Sequence, residues 1–156
     1  MTLPHLASFD LARVRSRRTG MVNSLWPWDA YPDLPILEPG ATVTIADIPG
    51  PAVITCLHTT KFANANEHRG IILRIYWDEE TEPSVEAPLG DFFCNGHGLR
   101  YNVNSLMVTV NPVGGFSATW PMPFARRARI TVENRSQQRF GGCYYQITYA
   151  LGPVAA

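Results

Sequence analysis

The stretch ATVTIADIPGPAVITCLHTT, residues 41–60, decides how this chain reads. Thr42, Thr44 and Ala46 alternate with Val43, Ile45 and Asp47, the period of two expected when successive side chains point to opposite faces of a strand. Pro49-Gly50-Pro51 continues neither a ladder nor a helix and reads as a turn. Ala52 to Thr60 follows as a second strand.

The same rhythm runs outward toward the C-terminus. Ile71 to Trp77 is apolar apart from Arg74 and predicts a central strand buried on both faces. Ser84 to Ala87 is short and flanked by prolines, as an edge strand would be. Leu106 to Val110, Phe116 to Trp120, Ala128 to Glu133 and Tyr144 to Leu151 complete eight strands, while the polar run Asn64 to Arg69 reads as a loop. Composition agrees. Val, Ile and Thr, stiff at χ1 and at home on a pleated surface, make up 32 of 156 residues. Gly and Pro add 12 and 13, enough to punctuate many short strands. The prediction is an all-β fold, a single eight-stranded antiparallel jelly-roll β-sandwich over residues 40–156.

Residues 1–39 differ. Leu3, Leu6 and Phe9 suggest a short helix, and Arg13, Arg15, Arg17 and Arg18 follow it. Pro27, Pro32, Pro35 and Pro39 then exclude a regular helix. Trp26, Trp28 and Tyr31 in that stretch need something to pack against, so the segment reads as an ordered arm that covers its own barrel or reaches onto a neighbouring subunit.

Charge and cysteine content exclude several functions. Thirteen basic and 13 acidic residues give a net charge of zero, which lacks the electrostatic footprint of a nucleic-acid binder. Cys56, Cys94 and Cys143 form no C-x-x-C pair, and the expectation is buried thiols in a reducing compartment. No apolar run has the length of a signal peptide or membrane span, so a cytoplasmic protein is expected. His58, His68 and His97 lack metal-ligand spacing, and neither a metal nor a cofactor is expected.

The run Leu73-Arg74-Ile75-Tyr76-Trp77-Asp78, followed by Glu82-Pro83-Ser84-Val85-Glu86-Ala87-Pro88-Leu89-Gly90-Asp91-Phe92-Phe93, resembles the hallmark of the DUF2961 proteins, which include glycoside hydrolase family 172. Other segments agree in order: Arg15-Ser16-Arg17-Arg18 with Gly20 and Asn23, Ile48 to Ile54 around the Gly-Pro turn, Pro121-Met122-Pro123-Phe124, and Ile130 to Asn134. The resemblance spans Arg13 to Leu151. It implies a β-sandwich related to enzymes that cleave fructose- or arabinose-containing glycosides. Those enzymes carry two tandem jelly rolls and assemble as trimers, and this chain resembles the first half only. Their two catalytic glutamates lie on the second half. Overlaying the halves puts Gly70 and Gly90 of this chain where those glutamates would be, and neither glycine can move a proton.

Other carboxylates are candidates to replace them. Glycoside hydrolysis needs two carboxyl groups about 5 Å apart for retention or roughly 6.5–9.5 Å for inversion. Glu86 and Asp91 are the candidate pair, with Asp78 and Glu133 at strand ends. Each has a structural alternative: Glu86 an arginine partner, Asp91 a turn cap, Glu133 a solvated strand end. Ser84 and Ser105 lack a nucleophile-elbow context, and Cys94 reads as a structural thiol rather than a nucleophile. Trp77, Tyr101 and Trp120 are candidates for stacking on sugar rings. Two functions follow. One is a self-assembling, non-catalytic ring, a capsomer-like homohexamer held by Arg15, Arg17, Arg18, Trp26, Trp28 and Tyr31. Depletion of charge from Tyr101 to Ala125 favours it, because interface cores are poor in charge. The other is a glycoside hydrolase or carbohydrate-binding protein with its site between subunits.

Overall fold

Eleven strand segments fall into two antiparallel sheets in the computed structural model, which describes residues 16–24, 36–60, 67–111, 114–141 and 143–153. The smaller sheet is built from β2 (Thr42–Pro49), β10 (Arg127–Asn134), β4 (Ile71–Trp77) and β5 (Val85–Pro88), in that spatial order. The larger runs β1 (Thr19–Asn23), β11 (Tyr144–Leu151), β3 (Ala52–Thr60), β8 (Gly115–Ala118), β7 (Val108–Val110), β6 (Val103–Asn104), and β9 (Met122–Phe124) also pairs with β3. Among the described residues helix is confined to α1 (Glu67–Gly70), α2 (Leu89–Phe92) and a 3₁₀ turn at Gly96–Gly98.

The two sheets face each other across one core. Ile48 of β2, Ile54 and Leu57 of β3, Leu73 and Ile75 of β4, Phe116 of β8, Ile130 of β10 and Ile147 of β11 are almost wholly removed from water. Phe93, just after α2, closes one end by packing on Phe116, with ring centroids 5.7 Å apart. Each such side chain contributes about 1.5–3 kcal/mol relative to an exposed one. β4 lies between β10 and β5 with Ile71, Ile72, Leu73 and Ile75 buried, as its apolar run predicts. β5 ends the sheet, as its flanking prolines predict.

The segment count exceeds the expected eight for local reasons. Pro121 interrupts the run after Phe116, so its strand character is divided between β8 and β9, both on β3. The stretch around Leu106 folds into a hairpin, β6–β7, because the Ser105 hydroxyl accepts from the Val108 N–H and donates to its C=O, both at 2.9 Å. A further strand, β1, lies inside the stretch read as an arm. It pairs with β11 from Thr19↔Ala150 to Asn23↔Gln146, and its alternation escaped notice because only five residues form it. Leu37 also bridges to Phe140. The helix suggested near Leu3, together with Arg15, Trp26, Trp28 and Tyr31, lies outside the described residues.

Edge strand β2 carries a bulge. Thr44 faces Thr131 and Ala46 faces Ile130, leaving Ile45 extra. Ile45 and Ala46 are consequently both buried, breaking the alternation of the sequence.

Candidate functional site

The outer face of the smaller sheet carries a group of ion pairs. Arg74, half-way along β4, stands opposite Glu86 on β5 and Thr131 on β10. Its Nε donates to Glu86 Oε2 at 2.5 Å and its Nη2 to Glu133 Oε2 at 2.6 Å. Arg135, just past β10, donates from Nε to Glu133 at 3.0 Å and lies 3.9 Å from Glu86 Oε1. The four side chains close a neutral ring of alternating charges. Burial opposes ionisation of Glu133, but the hydrogen bonds from Arg74 and then Arg135 outweigh it and hold the carboxyl below its usual range. Arg74 is itself desolvated, and the two glutamates more than compensate, so its guanidinium stays charged.

Further along the same face Arg127 forks onto Asp47, with Nε–Oδ1 at 2.7 Å and Nη2–Oδ2 at 2.5 Å, and reaches Glu79 at 3.2 Å. The fork lowers the Asp47 pKa, and the charge of Arg129 adds to it. Arg129 lies 3.7 Å above the centroid of the Tyr76 ring. Between these groups opens a cavity of about 300 Å³, lined by Tyr76, Glu79, Glu80, Thr81, Arg127 and Arg129. None of the sugar-stacking candidates lines it.

Asp78 has a structural job. Its carboxylate accepts from the backbone N–H groups of Arg126 at 2.5 Å, Ala125 at 3.1 Å and Arg127 at 3.2 Å. The Arg126 bond is the chief reason its pKa is lowered. That clamp fixes the turn between β4 and β5, where Asp78 and Glu79 both have positive φ, 50° and 73°. Asp tolerates this conformation locally, and Glu79 is held in it by its neighbours.

The expected pair Glu86 and Asp91 share no partner. Glu86 belongs to the ring on β4 and β5, whereas Asp91, on α2, pairs with Arg69 at 3.2 Å. Asp91 does not cap its turn through its side chain: Oδ1 is buried without a hydrogen-bond partner, and only its backbone oxygen accepts, from the Cys94 N–H. Nor is Glu133 a solvated strand end, since only 19% of its side chain is exposed. The pairing missed from sequence is Glu86 with Glu133, brought onto one guanidinium by adjacent strands whose neighbourhood no local pattern reveals.

A bridging arginine suits structure better than catalysis. A general acid needs a raised pKa and a free proton, and Glu133 is shifted the other way. Gly70, which the resemblance sets in place of a glutamate, is also closed to a side chain. A Cβ at Gly70 would lie 2.7 Å from Ser136 Cβ and 3.2 Å from its backbone. Gly90 is buried at the start of α2, where its carbonyl accepts from the N–H groups of Phe93 and Asn95.

The aromatic candidates separate. Trp77 and Trp120 are partly buried against the core, Trp77 stacked on Phe124 at 6.1 Å and Trp120 edge-on to Phe92 at 5.3 Å. Tyr101 is exposed, with its backbone N–H given to Asn95 Oδ1 at 2.9 Å. Arg17 and Arg18 are exposed just before β1, and the Arg18 carbonyl accepts from Leu151. The thiols differ from expectation: Cys143 is buried, Cys56 half-buried and Cys94 exposed, because the chain turns outward at Cys94 with φ of 62°. A cross-strand pair not anticipated joins His58 Nδ1 and Ser117 Oγ at 2.9 Å, and burial lowers the His58 pKa. Among the described residues no three His, Cys, Asp or Glu are gathered as a metal site needs, and no helix is long and apolar enough to cross a membrane.

An antiparallel β-sandwich with an ion-paired outer face defines the structural class. A family profile described as GH172 domain-like matches residues 34–146, and the chain belongs to that family. No curated protein matches it.

Proposed function

We propose that this chain is a single jelly roll that assembles with copies of itself into a ring, a hexamer by preference, and does not hydrolyse glycosides. Strand order supports the jelly roll. Taking β1, β2, β3, β4, β5, β8, β10 and β11 as successive strands, the first, eighth, third and sixth neighbour one another in one sheet. The second, seventh, fourth and fifth neighbour one another in the other. This alternation between facing sheets supports the reading of a jelly-roll winding. β6, β7 and β9 are additions along the larger sheet.

The observation that carries the non-catalytic reading is the ring Arg74–Glu86–Arg135–Glu133. It commits the best-placed carboxylates to arginines, while Ser136 closes the space beside Gly70. Assembly rests on the exposed apolar side chains of an otherwise ordered surface, on zero net charge, and on the arginines and aromatics of residues 1–39. The three free thiols suit a cytoplasmic, reducing setting.

The test is hydrolysis of aryl fructosides and arabinosides by the purified chain, with turnover expected to stay at background. Turnover that disappears in Glu86→Gln or Asp91→Asn would restore the enzyme reading, with its sugar site between subunits. On the assembly side, replacing Trp26 and Trp28 by Ala is expected to shift the particle toward monomer. An unchanged particle would show that the arm packs only on its own subunit.

A further inference from the structure

Among the described residues the main strand order of each sheet ends in two edge strands, and three of these four carry devices that discourage pairing with another chain. β2 is bulged at Ile45 and bears Asp47, ion-paired to Arg127. β5 lies between Pro83 and Pro88 and carries Glu86 within the ion-pair ring. β1 follows directly on Arg17 and Arg18. Charges, prolines and bulges are the ordinary protections of a sheet edge.

β6 has none of them. From Tyr101 to Asn111 the sequence YNVNSLMVTVN contains neither a charge nor a proline, and β6 pairs with β7 without a bulge. The nearest charge, Arg100, lays its guanidinium over Gly114, 3.3 Å from where a Cβ would stand. Among the described residues β6 pairs only with β7. The Ser105 N–H donates to Val108 C=O at 3.0 Å, so alternation along an antiparallel ladder turns the N–H and C=O of Asn104 away from β7.

Apolar side chains flank this open edge. At the hairpin tip Leu106 is 76% and Met107 41% exposed, although hairpin tips are normally polar, and before β6 Tyr101 is 44% exposed. The tip is rigid. The Thr119 N–H donates to Met107 C=O at 2.8 Å and the Thr119 hydroxyl to Leu106 C=O at 3.0 Å. A pre-ordered apolar tip loses little entropy when it is covered.

We infer that the β6 edge, with Tyr101 before it and the tip residues Leu106 and Met107 after it, forms the contact between two copies of this chain, paired about a twofold axis. The inference rests on the self-assembly reading and names its surface. From Tyr101 to Asn111 this edge carries no charge, so it does not repel a second copy and complements itself under a twofold axis. Copies with zero net charge also do not repel one another. β6 is only two residues long, so its ladder sets register while the side chains supply affinity. A ring of six that alternates this contact with one through the arm has the symmetry of three joined pairs.

Sedimentation velocity of the full chain, of Leu106→Lys and of Asn104→Lys, each over a concentration series, tests this. Both positions are exposed, so thermal unfolding should show the fold retained. The expected result is association weakened roughly tenfold or more in both variants. Unchanged association in the variants, with Ala at both Trp26 and Trp28 dissociating the particle, overturns this surface and leaves the self-assembly reading standing. An intact chain that is monomeric at every concentration overturns both.

Discussion

The outer face of the smaller sheet and the β6–β7 end of the larger one both meet solvent, yet they treat it in opposite ways. On the first, Arg74, Arg127 and Arg135 are each paired with carboxylates of the same chain, so charge is neutralised locally. On the second, Tyr101, Leu106 and Met107 are exposed within a stretch, Tyr101 to Asn111, that carries no charge. A surface whose bonding is internally complete has little to offer a partner. A surface left incomplete does, and the difference separates a structural role for the glutamates from a contact role for Leu106 and Met107.

The strongest way to break this contrast is to put a carboxylate back. Gly70→Glu must displace Ser136, and overpacking of this kind costs about 1–3 kcal/mol or more. Urea unfolding should show the loss, and no glycosidase activity should appear. A stable, active Gly70→Glu protein would mean that the site beside Ser136 can open.

Next in size is Arg74→Met, which leaves Glu133, at 19% side-chain exposure, with Arg135 as its one remaining cation. The Glu86 arm is 45% exposed and contributes little, so the expected destabilisation is about 2 kcal/mol. Its pH signature is specific. Glu133 titrates below its ordinary 4.5 in the folded chain. Its stabilisation is therefore complete above that value and is lost as pH falls through the folded pKa. Melting temperatures measured from pH 7 down to pH 3 should fall less steeply in Arg74→Met than in the parent.

How much of this was legible in the sequence differs between the same two regions. Strand positions from Thr42 to Leu151 follow from apolar alternation, because that pattern is local. Tyr144 to Leu151 is recovered to the residue as β11. The ring at Arg74 is not legible, since it depends on β10 lying between β2 and β4, a consequence of winding over more than fifty residues. β1 was missed because five residues with a glycine give too short a period. The charge-free stretch after Tyr101 was visible, but not that its hairpin would lift Leu106 to the surface while burying Val108 and Val110.

Smaller effects sharpen the structural side. Asp78→Asn leaves one carbonyl oxygen for three backbone donors, and the loss should be about 1–2 kcal/mol. Calorimetry can resolve a shift of that size. Smallest is Glu86→Gln, expected to change stability by no more than about 0.5–1 kcal/mol, because an exposed ion pair contributes little. A larger fall would show that the ring acts as one unit.

The most direct measurement is the mass of the intact chain by native mass spectrometry and light scattering at micromolar concentration. The expected result is a closed homo-oligomer, with six times the 17.4 kDa chain mass as the dominant species. A single species at 17.4 kDa across the concentration range would contradict self-assembly outright.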